Sequence, residues 1–190
     1  LYYSSQTYGA QEVHNTYFWT YDALNRLTDE EFKTNYDTLF TNGQTPPTDG
    51  DRPLASYHDH YVFDLAGNRL SKTTDVGVRT TGGAIAFDGN PEEALTYFYD
   101  ANDRLLREER NFSDTEQSDT VTLYTYQGTQ QTHKTVQIGE PVEGTPQWVS
   151  QTEFAWDLQG KLGQVTSRSY DATGTQTGGS TTDYEYAPSG

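Results

Sequence analysis

The sequence has no cysteine, which excludes disulfides, thiolate metal sites and cysteine nucleophiles, and it has no methionine. A cysteine-free chain suits life outside the cell. No run of about 18 apolar residues occurs, so no membrane insertion is expected. Basic residues are scarce: 12 Lys and Arg stand against 28 Asp and Glu, a formal net charge of −16. That balance argues against nucleic acid and anionic membranes, which are gripped through positive charge matched to phosphate. It suits solubility and the binding of cations or basic partners. Only 32% of residues are hydrophobic, too few for a thick aliphatic core.

What is plentiful points to sheet. There are 29 Thr, 15 Tyr, 8 Phe and 3 Trp, residues that fit a pleated, half-buried surface and lose rotamer freedom in helices. An aromatic content of 14% also separates this chain from disordered sequences of similar polarity.

One phrase recurs. It is spelled most fully as Tyr21-Asp22-Ala23-Leu24-Asn25-Arg26-Leu27, and it follows an alternating stretch, Thr16 to Thr20, with the period of two that a strand demands. It returns around Phe63, Asp64, Arg69 and Leu70, around Tyr99, Asp100, Arg104 and Leu105, and around Trp156, Asp157, Lys161 and Leu162. A degenerate copy stands at Tyr126-Gln127-Gly128 and a truncated one at Tyr184-Glu185-Tyr186. The phrase aromatics fall at 21, 63, 99, 126, 156 and 186, a unit of near 30 residues with two insertions. Periods of 20 to 50 residues signal stacked units that bury their faces only against neighbours.

The expected organisation is a tail of a preceding repeat over 1–15, then an array over 16–190 with insertions at about 41–56 and 79–94. Residues 28 to 43 fit both a capped helix and an alternating strand, and strand is preferred in an array of strands. Thr45 to Pro53 and Glu140 to Pro146 read as loops from their Pro and Gly. A short turn is expected at Glu92-Glu93-Ala94, and a turn at Asp171-Ala172-Thr173-Gly174. The chain opens at Leu1 and ends inside a phrase, so it reads as a piece of something longer.

Two residues before each phrase aromatic stands another large side chain: Trp19, Tyr61, Tyr97, Tyr124, Phe154 or Tyr184. Both share a sheet face, so paired hairpins are expected to stack these residues into aromatic ladders. They read as core; an exposed row able to stack on sugars is the alternative.

The aromatic-Asp phrase ending in Arg-Leu resembles the YD repeat of RHS and teneurin-like proteins, over most of residues 16 to 190. The resemblance implies an all-β fold, stacked antiparallel β-hairpins forming a curved sheet that is the arc of a shell or solenoid. In bacterial members such shells enclose a toxin or effector, while animal members act in adhesion at cell surfaces. The DPxG-type segment that ends the repeats of encapsulating members is missing here.

Candidate chemistry is thin. The repeated Asp residues are expected to cap turns and to pair with Arg26, Arg69, Arg104 and Lys161. His58-Asp59-His60 puts two imidazoles on one strand face, a spacing able to hold a divalent ion, but no third ligand is visible at metal spacing. The acidic loops Asp49-Gly50-Asp51 and Asp114 to Asp119 do not follow the calcium-loop pattern. There is no Gly-x-Ser-x-Gly elbow, and the carboxylate pairs Glu30-Glu31, Glu92-Glu93 and Glu108-Glu109 sit among polar residues. Asn111-Phe112-Ser113 is a glycosylation sequon. No cofactor, metal site or enzymatic activity is expected. The expected role is structural, in a secreted or cell-surface protein, as shell, stalk or filament. Its partners are neighbouring repeats, or further copies joined through sheet edges. The alternatives are a module binding glycans or calcium, and part of a cocoon around an encapsulated toxin domain.

Overall fold

The computed structural model describes residues 2–8, 11–35, 56–80, 84–114, 117–138, 148–171 and 173–186. Within them the protein is all β, built of stacked antiparallel hairpins without a helix. The expected loops at 45–53 and 140–146, the acidic Asp49-Gly50-Asp51 and the end of the 28–43 segment lie outside the described residues.

The chain forms two compact units, Leu1–Ala94 and Leu95–Gly190. In the first, β1 (Tyr2–Tyr8), β2 (Gln11–Tyr21), β3 (Leu27–Thr34), β4 (Tyr57–Phe63) and β5 (Arg69–Val76) pair in sequence order. A two-stranded ribbon, β6 (Val78–Arg79) and β7 (Ile85–Ala86), follows. β8 (Glu93–Tyr99) starts at the boundary. It opens the second unit's meander of β9 (Leu105–Phe112), β10 (Thr120–Gln127), β11 (Gln130–Ile138), β12 (Trp148–Trp156), β13 (Leu162–Tyr170) and β14 (Gln176–Asp183). Because a meander reverses at every turn, successive turns alternate between the two ends of the strands. The phrase turns at 22–26 and 64–68 therefore share one end of the first unit, and those at 100–104 and 157–161 share one end of the second.

Residues 28 to 34 are strand, and packing explains why. Phe32 is 3% exposed, and its ring joins a ladder across four strands: Tyr2 to Tyr17 at 5.9 Å, Tyr17 to Phe32 at 4.8 Å and Phe32 to Tyr57 at 5.5 Å between centroids. The register places these residues directly opposite one another. Such pairs contribute about 0.2–1 kcal/mol each. This ladder is not the expected one. Successive phrases lie two strands apart, about 10 Å, so their aromatics cannot pair directly. The returning strand intervenes: Trp19 faces Glu30 and Tyr61 faces Lys72.

Of the turn expected at 92–94, Glu92 is a bend, whereas Glu93 and Ala94 already belong to β8. Glu92 is drawn along β5, its amide donating to the Thr74 carbonyl (2.9 Å) and its carboxylate accepting from the Val76 amide (2.5 Å). The stretch 1–15 supplies β1 and the start of β2.

Among the described residues, fully buried hydrophobic ones are few: Phe32 in the first unit, Leu95 and Val121 in the second. Polar side chains share the covered face. Asp59, 6% exposed, accepts from the Thr74 hydroxyl (2.6 Å) and the Tyr61 hydroxyl (3.1 Å) and pairs with the Lys72 ammonium (2.9 Å). Glu30 accepts from Trp19 Nε1 (3.0 Å) and from the Tyr57 hydroxyl (2.5 Å). Burial, seconded by Asp59, pushes the Tyr61 hydroxyl up to about 12.

Candidate functional site: the repeated turn

The phrase is a turn with one geometry. In its first copy the Asp22 amide donates to the Arg26 carbonyl and the Asn25 amide to the Asp22 carbonyl, both at 3.0 Å. The Asp22 carboxylate closes the loop from inside, accepting the amides of Leu24 (2.9 Å) and Arg26 (3.0 Å). The same backbone bonds recur at Asp64, Asp100, Asp157 and Asp171. Three residues after each Asp the backbone is left-handed: Asn25 (φ 63°), Gly67 (100°), Asp103 (59°), Gly160 (77°) and Gly174 (81°). Only Gly, Asn and Asp enter that region readily, which explains the choice of residue.

Each amide bond stabilises the ionised carboxylate. Asp22 is held below its ordinary value chiefly by the Arg26 amide, Asp100 by the Arg104 side chain, Asp64 by the Asn68 side chain and Asp171 by the Thr173 hydroxyl.

The strand register shifts immediately before the phrase aromatic at Tyr21, Phe63, Tyr126, Trp156 and Tyr170. Each shift is a bulge, which adds local right-handed twist. The phrase therefore carries a turn and a bend together.

Counting from the Asp corrects one alignment. Asn68, not Arg69, takes the place of Arg26: its amide and side-chain nitrogen both reach the Asp64 carboxylate, at 2.8 and 3.0 Å. Arg69 takes the place of Leu27, opposite Phe63, and its guanidinium stacks on Tyr61 at 4.9 Å. Leu70 becomes the bulged residue. Tyr170-Asp171 is a further copy of the turn, at the opposite end of its unit from the Asp157 turn. Sequence reading found its turn but not its kinship, because Thr175 and Gln176 stand where Arg and Leu were sought.

The basic residue does more than close its own turn. Arg26 Nε donates to Asp22 (2.7 Å) while Nη1 donates to the Asp64 carbonyl (2.6 Å), and the guanidinium lies 5.0 Å from the centre of the Phe63 ring. Arg104 pairs with Asp100 (2.6 Å), donates to the Gly128 carbonyl and lies 5.1 Å over Tyr126. Lys161 lies 5.1 Å over Tyr186. In each case the cation of one phrase covers the aromatic of the next.

The aromatic answers with its own donor where it has one. The Tyr126 hydroxyl donates to the Leu105 carbonyl (2.9 Å), Trp156 Nε1 to the Gln131 carbonyl (2.8 Å) and the Tyr186 hydroxyl to the Leu162 carbonyl (3.0 Å). Leu105 and Leu162 directly follow the cation of the preceding phrase, and Gln131 pairs with Tyr126 as Leu162 pairs with Trp156. The copy at Tyr126 lacks Asp and Arg, yet it keeps the receiving half of this contact.

Two other features bear on binding. An open hollow of about 690 Å³ in the second unit is lined by Tyr126, Gln130, Gln131, Phe154 and Trp156, among others. Phe18 and Phe98 are each 42% exposed, with Lys33 and Arg107 near their rings. Both rings are therefore open to solvent.

On the face opposite the ladder, His58 Nε2 and His60 Nδ1 approach one oxygen of Asp29, at 3.3 and 2.8 Å. Burial pushes the Asp29 carboxyl up, but the Thr20, His60 and Thr28 hydrogen bonds outweigh it and hold the group at about 2. Sequence reading missed Asp29 because it stands in β3, distant along the chain.

No protein-family model matches this chain, and no curated protein matches it either.

Proposed function

We propose that this chain is a structural segment built from YD repeats, resembling those of RHS and teneurin-like proteins, in a secreted or cell-surface shell, stalk or filament. The observation that carries the reading is the hand-on contact between phrases. Arg26 reaches Phe63 and the Asp64 carbonyl, Arg104 reaches Tyr126 and the Gly128 carbonyl, and Lys161 reaches Tyr186. A contact of one kind that recurs at three junctions between phrases suits an extensible wall. Its partners are then neighbouring repeats, or copies joined through the outer edges of β1 and β14, which stand at the ends of the strand order. Unpaired edges template further pairing.

The test is electron microscopy of the purified chain with light scattering. Filaments, arcs or edge-joined assemblies are expected; a monodisperse monomer at high concentration contradicts edge pairing.

A second reading is favoured by a separate observation, the exposed Phe18 and Phe98 rings and the aromatic hollow at Trp156. In it the wall displays aromatic platforms for glycans. A glycan array without hits that depend on Trp156 or Phe98 removes that reading. A cocoon around a toxin is the third, and it requires cargo in the same protein.

A further inference from the structure

We propose that the hollow beside Trp156 is a socket for the guanidinium of an arginine side chain on a partner peptide. The strand register gives the site its place in the repeat. Gln131 lies opposite Tyr126 as Leu27 lies opposite Tyr21 and Leu162 opposite Trp156. The residue before Leu27 or Leu162 is the cation of the phrase, Arg26 or Lys161; before Gln131 it is Gln130. The copy at Tyr126 therefore has a neutral amide where the others carry the charge that covers the following ring.

The consequence falls on Trp156. Phe63, Tyr126 and Tyr186 each lie under the cation of the preceding phrase, at 5.0–5.1 Å. Among the described residues no Lys or Arg stands over Trp156, and Lys161 of its own phrase is engaged with Tyr186. Gln130 does reach the next turn, its Nε2 lying 3.2 Å from where a Cβ on Gly160 would stand. It leaves an open hollow of about 690 Å³ lined by Trp156, Phe154 and Tyr126, among others. The receiving half of the joint is complete: Trp156 Nε1 donates to the Gln131 carbonyl at 2.8 Å, which fixes the indole.

The first joint shows what chemistry the socket takes. Arg26 Nη1 donates to the Asp64 carbonyl at 2.6 Å while its guanidinium lies over Phe63. Asp157 follows Trp156 as Asp64 follows Phe63, and its carbonyl accepts the Gly160 amide (3.0 Å) as that of Asp64 accepts the Gly67 amide (3.3 Å). A carbonyl has a second lone pair. At Asp64 it takes Arg26; at Asp157, among the described residues, it has no taker. Indole is the ring that attracts cations most strongly. A planar guanidinium stacks on it and donates from its edge at the same time, which an ammonium does not match. The net charge of −16 draws a basic partner toward the site. An arginine from outside thus completes the joint that the chain leaves open.

The test is isothermal titration of the purified chain with acetyl-Gly-Arg-Gly-amide, and with the same peptide carrying citrulline, which keeps the shape of arginine without its charge. One arginine peptide per chain is expected, bound at least about fivefold more tightly than the citrulline peptide. Trp156→Leu should abolish the binding. Gln130→Arg supplies the missing cation from within, so it should weaken peptide binding at least about tenfold and raise the urea midpoint. Circular dichroism checks that both variants keep their sheet; if one does not, the other still decides, since each must remove binding. No heat from the arginine peptide at millimolar concentration overturns the proposal, as do equal binding of the citrulline peptide and binding that survives either folded variant. An unchanged or lower urea midpoint in Gln130→Arg overturns it as well. Binding of maltoheptaose without binding of the arginine peptide would make the hollow a sugar platform, and that too overturns the proposal.

Discussion

The guanidinium of Arg104 lies 5.1 Å from the centre of the Tyr126 ring, and the Tyr126 hydroxyl donates to the carbonyl of Leu105, the residue after that arginine. The two residues belong to consecutive hairpins and hold each other from both sides. Both halves recur with Lys161 and Tyr186, and the cation over the ring recurs with Arg26 and Phe63, which makes the phrase a joint between hairpins as well as a turn.

Removing such a joint should be felt. Arg26 touches Asp22, the Asp64 carbonyl and the Phe63 ring with its side chain only 24% exposed. Charge-assisted hydrogen bonds of this kind are worth about 1.5–3 kcal/mol. Arg26→Ala should lower unfolding stability by about that amount in urea titrations. Arg26→Lys should recover less than half, because an ammonium cannot serve Asp22 and the carbonyl in one planar fork.

The left-handed position gives a test free of packing. A Cβ added at Gly67 meets nothing within 4 Å, so any loss there is backbone strain alone. Gly67→Ala should cost about 1 kcal/mol. Asn25→Gly, at the same position of the first turn with φ 63°, should be neutral or stabilising. Thermal melts of both variants check the pair; equal losses would contradict the assignment.

Burial sorts the aromatics. Phe32 is 3% exposed at the centre of the ladder, and Phe18 is 42% exposed on the other face. Phe32→Ala should cost about 3–5 kcal/mol, enough to unfold a marginal unit. Phe18→Ala should cost under about 1 kcal/mol. Denaturant midpoints of the two variants decide it.

Acid and alkali should act in opposite senses. The carboxyls of Asp22, Asp64, Asp100 and Asp171 are lowered in the folded chain, so the unfolded chain takes up protons first as pH falls. Their stabilisation is present above the ordinary value of 3.8 and lost as pH drops through the lower folded values. Tyr124 is raised to about 12 by burial and by Glu108, so its contribution is present below pH 10 and lost between 10 and 12. Urea midpoints at pH 7, 4 and 2 should fall at the acid end, less steeply in Asp100→Asn. Absorbance of tyrosinate should show a late-titrating group that Tyr124→Phe removes.

The all-β class, the hairpins and the strand at 28–34 were legible because alternation and turn chemistry are local. So was the turn-forming Asp, whose bonds reach only four residues. The second copy misled by its letters: Asn68-Arg69-Leu70 repeats Asn25-Arg26-Leu27, yet Gly67 takes the left-handed position and moves the frame by one. The kinship of Asp171 was hidden because recognition leaned on Arg-Leu, while the turn needs only Asp and a left-handed residue three places on. The joints and the Asp29 cluster depend on strand pairing that brings together residues 21 to 38 apart, which one sequence does not reveal.

The most direct test of the joint is a double-mutant cycle on Arg104→Ala and Tyr126→Leu, read from urea unfolding of the single and double variants. A cation over a ring together with its paired hydrogen bond should give a coupling energy of about 0.5–2 kcal/mol, so that the double variant loses less than the sum of the singles. A coupling indistinguishable from zero would mean that the hairpins merely lie side by side, and that the phrase is a turn and nothing more.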